Sequence, residues 1–309
     1  MILALDIGGT KIACGLVDGS RIVRKARVAT PTGDADDVWQ AVVEAIEILG
    51  TDPPLTGVGV AAAGPMDQAR GVVSPLNIPG WRDGFPLSAR LASLVSDVPV
   101  SIAPDAVCMA LGEQRFGAGA GSTSMLGMVV STGVGGGLIV DGRPWRGRSG
   151  NAGHVGHVVV EPGGAECGCG GRGCVETVAR GPALAQWARE RGWDGETAKQ
   201  LAADARAGDA VAVAAFERGG RAVGRMIAGV AAVCDLDVVV VGGGVALAGD
   251  LLFTPIRQAL AEHARLDYLA GLAVRPAALG ADAALLGSAV LASNAATTAS
   301  TPGVSGGRP

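Results

Sequence analysis

The chain has 309 residues and a formal net charge of −4, with 49% hydrophobic and 17% charged residues, a balance that fits a packed globular protein of two lobes. Aromatics make up only 3% and no basic stripe appears, which argues against a nucleic-acid or membrane-surface role. No uncharged apolar run reaches about 18 residues, and no charged segment followed by an apolar one opens the chain, so neither a membrane span nor a signal peptide is expected and the protein reads as cytoplasmic.

Ile2 to Leu5 reads as a strand, Asp6-Ile7-Gly8-Gly9-Thr10-Lys11 as a tight turn, and Ile12 to Val17 and Ile22 to Ala29 as two further strands. Asp36 to Leu49 has helical periodicity, with Val38, Val42, Val43, Ile46 and Leu49 on one face. A buried strand over Gly57 to Ala63 ends at Gly64-Pro65. A short helix follows at Leu87 to Leu94, a strand at Val98 to Ile102 and a helix at Cys108 to Phe116. From Ser124 the strand, glycine turn, strand order repeats: Met125 to Ser131, Thr132 to Gly137, Leu138 to Val140. Two such halves indicate a duplicated α/β architecture with a cleft between them. Helices are expected over Pro182 to Arg191, Thr197 to Ala207, Asp209 to Cys234, Leu251 to Arg265 and Asp282 to Ala292. A fully apolar strand, Val238 to Val241, precedes Gly242-Gly243-Gly244. The expected division is 1–115 for the N-terminal lobe, with the helix near 282–293 packing back on it, 116–281 for the larger lobe, and 294–309 for a disordered tail.

Gly is the outlier at 50 residues, and short glycine runs stand beside apolar strands, where backbone N–H groups can approach an anion. In the first turn, Thr10 and Lys11 add a hydroxyl and a cation where phosphates would sit, and Asp6 could hold a metal-bound water; the alternative is a hairpin turn with a capping Asp. Thr132 and Gly133 repeat the device in the second half, and Gly242, Gly243 and Gly244 suit close backbone approach to an adenosine or an ordinary strand-to-helix turn. His157, Cys167, Cys169 and Cys174 supply a Cys₃His set, which closes a tetrahedral zinc shell and is structural in type; a reactive thiol cluster or a disulfide with a spare Cys is the alternative. His154 lies three residues before His157 and faces the same side on a helical turn. Glu176 follows the last Cys by two; it reads as a hydroxyl ligand or as a helix N-terminal Glu. Asp105, between a strand and a helix, reads as a general base or an N-cap.

Together these residues resemble the ROK family (repressors, open reading frames and sugar kinases) from Ile2 to about Ala292. The carriers are the Asp6–Lys11 turn, Gly64-Pro65 with Asn77 and Trp81, Asp105 with Leu111-Gly112-Glu113, the Thr132 loop, and Gly153-His154-Val155-Gly156-His157 joined to the three cysteines. The resemblance implies an actin-like, ribonuclease H-like duplicated fold, two lobes with an interlobe cleft and a zinc loop. It implies ATP and Mg²⁺ in that cleft, a structural Zn²⁺, and phosphoryl transfer to a hexose hydroxyl, commonly O6. It makes Asp105 the catalytic base, places Gly8, Gly9, Thr10, Thr132 and Gly133 at phosphate, and places Gly64, His157 and Glu176 at sugar. Family members are often dimers or tetramers. No helix-turn-helix extension precedes Met1 to Asp6, so the chain reads as a kinase; a catalytically inactive sugar-binding regulator is the competing reading.

Three positions depart from the family pattern. Pro104 stands where an Asn usually precedes the catalytic Asp, Val107 where another Asn is common, and His154 where a Glu is usual. The hydroxyl-reading set is therefore altered, and an aminohexose such as 3-amino-3-deoxyglucose (kanosamine) joins glucose among the expected sugars.

Overall fold

The computed structural model describes residues 1–52, 54–95 and 98–299. The chain forms two compact units, one of Met1–Gly112, Gly147–Asn151 and the segment from Asp282, the other of Glu113–Arg146 and Ala152–Ala281.

The first unit is built on β1 (Ile2–Ile7), β2 (Lys11–Asp18), β3 (Arg21–Ala29), β4 (Gly57–Ala62) and β7 (Val100–Pro104), in the order β3-β2-β1-β4-β7. Strands β1, β2 and β3 form an antiparallel meander, whereas β4 and β7 run parallel to β1. Between them lie α1 (Ala35–Leu49), the short pair β5 (Met66–Asp67) and β6 (Val72–Val73), and α2 (Leu87–Leu94). Helix α1 starts where the sequence marks it: Asp34 Oδ1 accepts the Asp36 and Asp37 N–H groups while Asp37 Oδ2 accepts the Asp34 N–H, a capping box. It buries Val38, Trp39, Val42, Ile46 and Leu49.

Strand side chains alternate between faces, and adjacent residues of β2 show what covers each. Cys14 Sγ lies 3.0 Å from Ala45 O of α1, while a Cβ on Gly15 would meet Leu285 of α9 (Ala283–Ala299). So α1 covers one face and α9 the other. The contact with α9 is backbone to backbone: a Cβ on Gly59 in β4 would stand 1.8 Å from Ser288 O. Helix α3 (Asp105–Phe116) meets α9 as closely, since a Cβ on Gly287 would stand 1.6 Å from Cys108 O.

The second unit repeats the sheet with β8 (Met125–Val130), β9 (Val134–Val140), β10 (Arg143–Pro144), β11 (Val238–Gly242) and β12 (Ala273–Pro276), in the order β10-β9-β8-β11-β12. The hairpin β8–β9 is antiparallel, and β11 runs parallel to both β8 and β12. Helices α4 (Val175–Ala179), α5 (Gly181–Arg189), α6 (Ala198–Arg206), α7 (Ala210–Cys234) and α8 (Asp250–His263) complete it. Its core gathers Leu126, Met128, Val178, Phe216, Ile227, Val239 and Ile256, all essentially buried. At the end of α3, buried Glu113 accepts the N–H groups of Ala118, Ala278 and Leu279 at 2.8, 3.1 and 2.8 Å.

Strands β5, β6, β10 and β12 and helix α4 are additional to the sequence reading, and three elements have other bounds. Helix α3 begins at Asp105, not at Cys108, because no residue intervenes after β7. The second glycine turn spans only Ser131 to Gly133, and Gly135 to Gly137 lie inside β9. Those glycines mark close approach: a Cβ on Gly136 would lie 2.9 Å from Val155 Cγ2 and 3.1 Å from Gly153 O. Helix α9 runs through Ala299, past Asn294 where the tail was expected to begin; the rest of that tail lies outside the described residues. Among the described residues no helix is long and apolar enough to cross a membrane.

Candidate active site and zinc knuckle

In the first unit the expected residues gather at the carboxyl ends of parallel strands. The register pairs Ile7 with Ala62 and Ala62 with Pro104, so Asp6 near the end of β1, Gly64 two residues beyond β4, and Asp105 just beyond β7 share one edge. Open α/β sheets bind ligands at this edge. The β1–β2 turn is closed by the Gly8 N–H donating to Lys11 O at 3.0 Å, and Thr30 Oγ1 donates to Gly8 O at 2.6 Å. A Cβ on Gly9 would lie 2.6 Å from Asn77 O, so the turn is packed against the Asn77–Trp81 segment. That segment is fixed by Trp81, which stacks on Phe85 at 4.2 Å and donates its indole N–H to Ala35 O. Thr10 is exposed.

Asp105 is exposed as the first residue of α3, and its Oδ1 accepts the Ala106 N–H at 2.7 Å. Asp6 is half-buried, and its carboxyl is pushed up to about 6, first by burial and then by the charge of Asp105, with Lys11 and Lys25 pulling down. A half-buried carboxyl that also feels a second carboxylate's charge would ionise more readily with a divalent cation beside it. Pro104 is buried as the last residue of β7, and Val107 is buried inside α3.

In the second unit, two turns sit side by side at the ends of the neighbouring parallel strands β8 and β11. Ser131 N–H donates to Gly133 O at 2.8 Å, which leaves Thr132 exposed at the tip. Gly242 ends β11; Gly243 has φ 95° and a Cβ there would stand 2.4 Å from Val130 O, while one on Gly244 would lie 3.5 Å from Ser131 Oγ. Only glycine fits Gly243 on both counts. The Val245 N–H donates back to Val130 O at 3.0 Å, joining the two turns. Val130 O carries this junction, and nothing in the apolar run of β8 singles that residue out.

The four residues of the Cys₃His set are brought together by a short antiparallel pairing. Val159 bridges Cys174, Val175 N–H donates to Val158 O, and Val160 N–H donates to Gly173 O. Gly173 permits this, with φ 73° and a Cβ position 1.8 Å from Glu161 O. The Cys167–Gly171 turn then folds Cys167 and Cys169 over, through Cys167 N–H to Gly171 O at 2.8 Å and Gly170 N–H to Cys167 O at 2.9 Å. The ligand atoms of His157, Cys167, Cys169 and Cys174 all lie within 4.8 Å of one another. Tetrahedral zinc with Zn–S of about 2.3 Å and Zn–N of about 2.0 Å sets S···S edges near about 3.8 Å and N···S edges near about 3.5 Å. Cys169 Sγ to Cys174 Sγ is 3.8 Å, and Cys167 Sγ to His157 Nδ1 is 3.5 Å. Burial and the neighbouring Cys167 and Cys169 push the Cys174 thiol up to about 12, whereas hydrogen bonds from Gly171 and Cys167 pull the Cys169 thiol down. The set fits zinc.

Nδ1 of His157 faces the thiols. His154 is exposed, with its ring near-parallel to that of His157 at 6.4 Å, and it is not one of the four grouped residues. Glu176 is half-buried, and its Oε2 accepts the Val134 N–H at 2.9 Å. This contact joins residues 42 apart and has no signature in the sequence.

The ROK family model matches residues 2–295. The glucokinase of Thermotoga maritima is 33% identical over 93% of this chain and 96% of its own length. The N-acetylmannosamine kinase of Yersinia pseudotuberculosis is 36% identical over 94% and 97%. Among solved structures, a ROK family glucokinase from Streptomyces griseus in complex with glucose and AMPPNP superposes with a TM-score of 0.83 at 36% identity, covering 95% of this chain and 99% of that one. With both glycine turns, Asp105 and the Cys₃His knuckle in place along a match of this length, the chain belongs to the ROK family.

Proposed function

We propose that this protein is an ATP-dependent kinase that phosphorylates a hexose or aminohexose at its 6-hydroxyl. The observation that carries the reading is Asp105, exposed at the same carboxyl edge of the first sheet as Asp6 and the β1–β2 turn. Asp105 accepts the proton of the sugar hydroxyl as that oxygen attacks the γ-phosphoryl group. In the first unit Gly8, Gly9, Thr10 and Lys11 offer N–H groups, a hydroxyl and a cation to phosphate; in the second, Thr132 and Gly133 offer N–H groups and a hydroxyl to phosphate, and Gly242 to Gly244 offer close backbone approach to an adenosine. Asp6 would hold Mg²⁺ through water, and that ion, when bound, neutralises charge on the β- and γ-phosphates. In the first unit Gly64 offers close backbone approach to a sugar; in the second, Glu176, His154 and the outer ring nitrogen of His157 offer polar groups to a sugar, and zinc, when bound, would hold the His157 ring in place.

Glucokinase relatives support a glucose-like substrate. Burial of Pro104 and Val107 supports a changed set of hydroxyl contacts, so 3-amino-3-deoxyglucose stands beside glucose as a substrate. A coupled assay with glucose, mannose, N-acetylated hexosamines and free aminohexoses decides among them, and NMR of the product locates the phosphate. Sugar binding without turnover of any hexose would support the regulator reading instead.

A further inference from the structure

We infer that Glu176 is a positioning residue for the phosphoryl donor, a strut through which the zinc knuckle fixes the Ser131–Gly133 turn and so sets nucleotide affinity as well as sugar affinity. The inference rests on the kinase reading above.

Four observations carry it. Glu176 Oε2 accepts the Val134 N–H, the first amide after the turn, at 2.9 Å. A Cβ on Gly133 would stand 2.9 Å from the same oxygen, so the turn is folded directly onto the carboxylate. The opposite flank is gripped from the same stretch of chain, where the Gly181 N–H donates to Ser131 O at 2.8 Å. Residues 176 to 181 thus hold both ends of the turn whose amides are offered to phosphate. Finally, that stretch is anchored in the knuckle. Cys174 belongs to the Cys₃His set, Cys174 O accepts the Thr177 hydroxyl at 2.7 Å, and Val175 N–H pairs with Val158 O at 2.9 Å. The pairing that sets His157 beside Cys174 therefore also places the Glu176 carboxylate.

A Glu176 that only contacts sugar and one that also braces the turn differ in one quantity: nucleotide affinity measured without sugar. The experiment is calorimetry of Mg·AMPPNP binding to the full chain in sugar-free buffer. It compares wild type, Glu176→Ala, Glu176→Gln and wild type stripped of zinc by a chelator, with hydrogen exchange followed at the Val134 amide. A hydrogen bond to a charged acceptor predicts roughly tenfold weaker binding in Glu176→Ala and in the stripped protein, with faster exchange at Val134. Glu176→Gln, whose carboxamide oxygen accepts the same N–H, stays within about threefold of wild type. Unchanged nucleotide affinity in a folded Glu176→Ala, or a Gln variant as impaired as the Ala variant, overturns the inference. Should Glu176→Ala fail to fold, unchanged affinity and unchanged Val134 exchange after zinc removal overturn it. Wild-type protein that binds no Mg·AMPPNP overturns both this inference and the kinase reading; the outcomes named before it leave that reading standing.

Discussion

Asp6 is a weaker acid than an ordinary carboxyl because of its burial and the charge of Asp105: its pKa rises from 3.8 to about 6, against the opposing pull of Lys11 and Lys25. A raised carboxyl pKa contributes stability that is fully present below the unfolded value and is lost as pH climbs through the folded one. Ionising Asp6 therefore costs the ligand-free fold between about pH 4 and pH 6. Asp6→Asn removes that cost. Thermal melts without ligand should show the variant more stable than wild type at pH 8, by about 1–2 kcal/mol once solvent at the half-buried carboxylate is allowed for. The gain should shrink toward zero near pH 4. Equal melting shifts at both pH values would remove Asp105 and burial as the cause.

Asp105→Asn should lower kcat by about 10²–10⁴, the usual worth of a general base, while sugar and nucleotide still bind. The same substitution removes the charge that lifts Asp6, so the Asp6 carboxyl, followed by NMR titration, should move down toward its ordinary value. Turnover surviving at the wild-type level would take the base role away from Asp105.

Elemental analysis should find one zinc per chain. Stripping it should lower the melting temperature and weaken sugar binding, because His157 and Glu176 are both placed by the knuckle. Cys169→Ser, which alters the exposed ligand, should lose metal more readily than wild type in a chelator titration. Full sugar affinity in the metal-free protein would separate the knuckle from the sugar site.

Glu113 offers a test of the scaffold alone. It is fully buried and satisfies three backbone N–H groups from two separate segments. Glu113→Ala leaves those donors without an acceptor and should destabilise the fold by about 3–5 kcal/mol in urea titrations. A loss below about 1 kcal/mol would show that water replaces the carboxylate.

The parts of the site that were legible in the sequence are those where spacing alone constrains geometry. Three cysteines within eight residues can surround one ion only if glycines bend the chain, and Gly170 and Gly173 do so with positive φ. Asp6 and Asp105 read as strand-end carboxylates because the apolar runs before them fix where those strands stop. Glycine misled where it serves packing instead of turning. Gly135 to Gly137 look like loop but are strand, because the segment from Gly153 to Gly156 presses on β9, with a Cβ on Gly156 standing 2.0 Å from Val134 O. Strand β12 carries its edge pairing in four residues ending in Pro276, too short for a period to register. The Glu176–Val134 and Glu113–Leu279 contacts join residues far apart in sequence. Such contacts are properties of the folded chain and leave no local pattern.

The backbone contact between Gly59 and Ser288 has a consequence for biogenesis. A newly made chain is threaded out from its N-terminus, so β1 to β7 emerge long before α9, with the whole of the second unit in between. Until α9 arrives, one apolar face of the first sheet has no cover, while the second unit carries its own sheet and its own core. The second unit can therefore mature on the ribosome ahead of the first, and the half of the protein translated first is the half that finishes last.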